Sequence, residues 1–171
     1  MKRRLVTALV HNQNGVLPRL TGLITKHQFH IESFSVGNTE MDDVSKMTFL
    51  VIAPDDHKFK QLIKQLNKQI DVLEISDVTD EDVVARELAL IKVLSNGQTR
   101  AEINGIVEPF RASIIDVCRE SVTVQVTGEY KKIEAIIDLL RPYGIKEIAR
   151  TGLTAFTRGN MNSVTTIRKY S

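Results

Sequence analysis

Tryptophan is absent from this chain of 171 residues, and cysteine occurs once. A lone thiol, Cys118, cannot close an internal disulfide and has no second cysteine at metal-ligand spacing, so it reads as a small buried residue. Aromatic residues make up 5% of the chain, which leaves few rings to stack on nucleic-acid bases. Neither sign of charge prevails: 23 Lys and Arg face 21 Asp and Glu, interspersed, for a net charge of +2. That balance argues against a dedicated nucleic-acid or membrane-surface binder. No apolar run approaches the roughly 20 residues of a membrane span, and M-K-R-R-L-V-T lacks a signal-peptide core. The expected compartment is the cytoplasm.

Catalytic patterns are missing as well. His11, His27, His30 and His57 stand in no metal-ligand spacing, no nucleophile occupies a recognisable strained turn, and no Gly-rich phosphate loop occurs. Glu87, Asp116 and Glu147 are single carboxylates in strand-like runs, where ion pairs or sheet edges are the ordinary use. No active site and no metal site is visible.

What the chain does have is one pattern, twice. Leu5–Val10 reads as a strand, and a helix follows with Val16, Leu17, Leu20, Leu23 and Ile24 on one side. Extended runs at Ile31–Val36 and Met47–Ile52 flank a turn-rich loop. A second helix carries Phe59, Leu62, Ile63, Leu66 and Ile70, and Val72–Ile75 closes the unit. The order β-α-β-β-α-β then recurs. It has strands at Leu88–Leu94, Ala112–Val117, Val122–Val126 and Ile145–Ala149, a helix at Ala101–Phe110, and another carrying Ile133, Ile136, Ile137 and Leu140. The expected fold is α+β: two consecutive ferredoxin-like βαββαβ units. The expected boundaries are 1–78 for the first domain, 79–86 for a short ordered connector in which Thr79 and Asp82 resemble a capping pair, and 87–157 for the second. A disordered tail is expected over 158–171.

The stretch from Leu9 to Gly37 carries the most chemistry. A polar turn, His11 to Gly15, delivers free amides to a helix start, where a carboxylate or phosphate is favoured. An amino acid suits it. Its carboxylate can take the amides of Gly15, Val16 and Leu17, its ammonium can meet the side-chain oxygen of Asn12, and an apolar side chain can rest on Val16, Leu17 and Leu20. Asn14 is more simply a turn or cap residue. RNA binding, which this strand order also serves, fits poorly, because M-T-F-L-V-I and V-T-V-Q-V offer one phenylalanine between them.

N-Q-N-G-V-L-P-R-L-T-G-L-I, followed by H-I-E-S-F-S-V-G and S-K-M-T, resembles the start of the acetolactate synthase small regulatory subunits, whose first half is an ACT domain. A-R-E-L-A-L-I-K-V, I-I-D-V and G-I-K-E-I-A-R-T-G-L-T-A-F-T-R-G extend the likeness from Arg3 to about Arg158. The resemblance implies a non-catalytic partner of the large catalytic subunit, which it activates and makes sensitive to valine or a related branched-chain amino acid. Thiamine diphosphate, magnesium and FAD are then expected in that partner, and no cofactor in this chain. It also implies a homodimer through ACT domains. The effector site falls on Asn12, Gly15, Val16 and Leu17 of one protomer, with His30 and Ile31 from its neighbour.

Three positions depart from the family pattern. His30 stands where asparagine is usual, Pro18 where a small polar residue is common, and Lys46 where arginine is. With a histidine in place of the amide, the expected valine affinity is weak, pH-dependent or absent. The alternative reading is a free-standing tandem amino-acid sensor that regulates another enzyme or transcription.

Overall fold

The computed structural model describes residues 2–159. The chain divides into two units: one runs to Val84 and takes back the segment from Leu153, and the other is Ala85–Gly152.

The first unit follows the order β1 (Lys2–His11), α1 (Val16–Lys26), β2 (His30–Asn38), β3 (Val44–Ala53), α2 (Asp56–Asn67) and β4 (Val72–Asp77). Its strands form an antiparallel sheet in the order β2-β3-β1-β4, with β2 and β4 at the edges. Alternation decides which side chains face the helices: Val6, Ala8 and Val10 of β1 and Met47, Phe49 and Val51 of β3 are buried there. Against them pack Val16, Leu20 and Ile24 of α1 and Phe59, Leu62 and Leu66 of α2. The Asp55 side chain caps α2 by accepting from the Lys58 amide at 2.7 Å.

The sheet reaches further at its start than the apolar pattern indicates. Lys2, Arg3 and Arg4 pair with Ala53, Ile52 and Val51, and their charges are met by neighbours. Arg3 makes a two-bonded ion pair with Glu32 at 2.7 Å, and Arg4 donates to Asp56 at 2.6 Å.

The opposite face of this sheet is covered too. Thr48 and Leu50 alternate with the core residues of β3 and are nonetheless buried, as are Leu153 and Ala155 of the returning segment. The Leu153 amide donates to Ser33 Oγ at 2.8 Å, and Ser35 Oγ donates to the Leu153 carbonyl at 2.6 Å. Lys46 Nζ lies 5.9 Å from the centre of the Phe156 ring. Residues 154–157 form a short strand, β9 (Thr154–Thr157), and Arg158 donates its amide to the Asp82 carbonyl at 2.7 Å. The segment that closes the expected second domain thus belongs with the first. Past Gly159, the expected tail lies outside the described residues.

The expected connector is also shorter. Thr79 caps no helix; its Oγ accepts from the Leu5 amide at 3.0 Å and donates to Asp77, so the hydroxyl finishes the sheet's edge instead. A strand, β5 (Val83–Leu94), has begun by Val83.

The second unit continues with α3 (Thr99–Val107), β6 (Ser113–Val117), β7 (Ser121–Gly128), α4 (Tyr130–Leu140) and β8 (Ile145–Arg150), in sheet order β6-β7-β5-β8. Ala89, Ile91 and Val93 of β5 and Val122, Val124 and Val126 of β7 meet Ile103 and Val107 of α3 and Ile133, Ile136, Ile137 and Leu140 of α4. Pro109 and Pro142 sit where the last turns tighten into 3-10 helix, at Glu108–Phe110 and Arg141–Tyr143. Gly144 then turns the chain with φ +94°. Glu87 is buried at 4% exposure and ion-paired with Arg150, whose other arm reaches Glu134 at 2.5 Å. Cys118 is exposed, contrary to the expectation of burial, because β6 ends at Val117 and the thiol falls in the turn to β7.

Two consequences are measurable. Phe49→Ala removes a fully buried ring from the first core and should cost about 3–5 kcal/mol in urea unfolding. The hydrogen bond from Arg4 holds the Asp56 carboxyl below its ordinary value. A depressed acid stabilises the fold above its unfolded-state value and loses that contribution as pH falls. The melting temperature should therefore drop more steeply below about pH 4 in the native chain than in Asp56→Asn.

Candidate functional site

The turn between β1 and α1 is built by backbone geometry. His11 ends β1 with its amide on the Asp71 carbonyl at 2.8 Å, and Asn12 donates its amide to the Asp43 carbonyl at 2.7 Å. Asp43 has φ +58°, in the tight loop between β2 and β3, so that loop and this turn brace each other. Gly15 occupies the N-cap of α1 at φ +87° with no side-chain cap. The first-turn amides consequently have no partner within the helix, and Val16 leans on the Gln13 carbonyl only at 3.4 Å.

Exposure sorts the residues at this turn. Asn12 and Gly15 are exposed, and Leu17 is 40% exposed. Val16 and Leu20 are buried in the core, so neither can be the apolar wall expected from the sequence; Val16 offers main chain and Leu17 offers its side chain. Helix spacing marks both faces of a helix start but does not say which residue the sheet covers. Arg19 is nearby but committed, at 2.5 Å from the mostly buried carboxylate of Asp71. That pairing has no local signal, because its members are far apart in sequence.

His30 and Ile31 are elsewhere. His11 pairs with Val44 at the start of β3, whereas His30 pairs with Ile52 near its end. At about 3.3 Å per residue, this puts His30 roughly 25 Å from the turn within one chain. His30 is exposed, and Ile31 is half-buried against the core. The structure therefore brings Asn12, Gly15, Val16 and Leu17 together and leaves His30 and Ile31 at the other end of the sheet. Among the described residues, no three His, Cys, Asp or Glu side chains converge as metal ligands, and no helix is long and apolar enough to cross a membrane.

Comparison with known proteins gives this arrangement a family. Residues 6–74 match the AHAS small subunit-like ACT domain, and residues 86–159 match the family described as the small subunit of acetolactate synthase. The acetolactate synthase small subunit of Bacillus subtilis is 57% identical over 169 residues, 99% of this chain and 98% of that one. The chain belongs to the acetolactate synthase small subunit family. A probable acetolactate synthase small subunit of Archaeoglobus fulgidus is 49% identical over 155 residues, covering 91% and 96% of the two chains. The crystal structure of the acetolactate synthase small subunit from Thermotoga maritima superposes with a TM-score of 0.82 at 39% identity, over 94% of this chain and 99% of that one. The two ferredoxin-like units, the first of ACT type, are thus a property of the family and of this small subunit alike.

Gly15 gives this turn a direct test. An added Cβ would meet no atom within 4 Å, so the cost of Gly15→Ala is conformational and not a clash. It should lower stability by about 1–2 kcal/mol, and Gly15→Asn by less, in matched thermal melts.

Proposed function

We propose that this chain is the non-catalytic regulatory subunit of an acetolactate synthase, activating the thiamine-diphosphate catalytic subunit and bringing it under feedback control by valine or a related branched-chain amino acid. The catalytic chemistry, with its thiamine diphosphate, magnesium and FAD, belongs to the large subunit, and the complex is cytoplasmic. Family membership supports the partnership.

One observation carries the effector reading: the two parts of the expected site lie at opposite ends of a sheet whose β2 is an edge strand. If two β2 edges pair antiparallel about Phe34, the partner's β2 start lies beside Asn38, and Asn38 is at the turn's end of the sheet, facing Ser45. The exposed turn of one protomer and the β2 start of the other then face one valine. Its carboxylate takes first-turn amides, its ammonium meets Asn12, and its side chain rests on Leu17. A ligand that touches two chains favours the arrangement in which both halves meet, and this differential affinity is what a switch requires. A coupling of about 1–3 kcal/mol changes affinity 5- to 150-fold.

Two assays test the reading. Added to its large subunit, the chain should raise acetolactate formation severalfold, and valine should reverse that gain; no change in rate on mixing would refute the partnership. In calorimetry the native chain should bind valine, and His30→Asn should change the affinity severalfold. An unchanged affinity would remove His30 from the site.

A further inference from the structure

The second unit has a hollow of its own at the place that corresponds to the turn of the first, where its first strand meets its first helix. The space, about 540 Å³, is lined by Leu94 at the end of β5 and by Ser95 and Asn96 just after it, by Arg119 and Glu120 of the β6–β7 turn, and by Pro142 and Tyr143 after α4. Its size is within the range of roughly 300–1,000 Å³ usual for small-molecule sites.

Most of the fixed polar groups around the hollow already have partners, Arg100 Nε behind it being an exception. Asn96 Oδ1 accepts from the Gln98 and Thr99 amides at 2.9 Å each, which caps α3. The Ser95 amide donates to the Glu120 carbonyl at 2.9 Å, and Arg100 Nη2 donates to the Cys118 carbonyl at 2.6 Å, so the two turns are fastened together. The Tyr143 hydroxyl donates to Glu102 at 3.1 Å, so toward the hollow this residue offers its ring.

Three groups on the lining itself are left over. The Ser95 side chain is buried, at 5% exposure for the residue, and its hydroxyl has no hydrogen-bond partner. Buried polar groups are almost always paired, so a lone hydroxyl on the wall of a hollow points to something that occupies it. Arg119 and Glu120, both exposed, bring one charge of each sign to the same wall, and among the described residues neither forms an ion pair. An anion alone would meet the Glu120 carboxylate, and an apolar molecule would leave Ser95 unpaired. A zwitterion satisfies all three.

We propose that the hollow bounded by Ser95, Arg119, Glu120, Pro142 and Tyr143 is a second binding site, for an α-amino acid with an apolar side chain. The Arg119 guanidinium and the Ser95 hydroxyl donate to the carboxylate, Glu120 accepts from the ammonium, and the side chain lies against Leu94, Pro142 and the Tyr143 ring. This site lies within one protomer and does not depend on the dimer-spanning site of the first unit.

The test is nitrogen-15 NMR of the full chain titrated with millimolar L-leucine, L-phenylalanine and N-acetyl-L-leucine. Leucine or phenylalanine should move the amides of Ser95, Gly97 and Glu120, and N-acetyl-leucine, which lacks the ammonium, should not. Ser95→Ala should weaken the effect about tenfold and Glu120→Gln should remove it, whereas His30→Asn should leave it unchanged. Ser95→Ala should also melt no lower than the parent, because the hydroxyl has no partner to lose. The proposal is overturned by silent amides with both acids, by an equal response to the acetylated compound, by shifts that survive both substitutions, or by a strongly destabilised Ser95→Ala.

Discussion

β3 is hydrogen-bonded on both sides, to β1 across its whole length and to β2 along most of it, and that register determines where every exposed group of the first unit lies. The turn that opens α1 is fixed to one end of the sheet and His30 to the other, with a dry core between them. Neither end can approach the other without breaking the ladder. Any ligand that needs both must draw them from two chains, so the sheet's rigidity makes the proposed effector site a property of an assembly.

The same strand explains the path of the chain. One face of β3 is sealed by α1 and α2, but the other would leave Thr48 and Leu50 in water. The segment from Leu153 returns to cover them, held by the Ser33 and Ser35 hydroxyls on the amide and the carbonyl of one residue, Leu153. The polypeptide therefore passes between its two units twice, once at Val84 and again before Leu153. Lys46 faces Phe156 on this covered side, which gives the lysine a packing role that a count of charges does not reveal.

Much of this was legible beforehand because the helix and strand periods differ and the same unit occurs twice. The burial of Val16, Leu20 and Ile24, and of Ile133, Ile136 and Ile137, follows from spacing alone. Spacing failed where the information is not local. Lys2–Arg4 lie in a strand because Glu32 and Asp56, distant in sequence, neutralise two of their charges. Leu153 and Ala155 are too few to announce which unit they cover, and Cys118 looked buried because a lone cysteine without a partner usually is, whereas β6 ends at Val117 and leaves it in an exposed turn. At the turn, Asn12, Gly15, Val16 and Leu17 lie together as near neighbours in sequence, but the Val16 and Leu20 side chains, expected as an apolar wall, are buried in the core, since one face of a helix is apolar whether or not a ligand touches it. The Ser95 hollow was invisible for the same reason that Asp71 was: its members come from separated turns.

The family relationship and the divided site together support the proposal that sensing by this subunit requires pairing. The most direct measurement mixes two variants, one carrying Asn12→Ala in the turn and the other His30→Ala at the start of β2, each too weak to bind valine alone. After subunit exchange, the account predicts recovered valine binding, with one intact site in each mixed dimer formed by the native turn of one chain and the native His30 of the other. Mixtures that bind no better than either variant alone would contradict it.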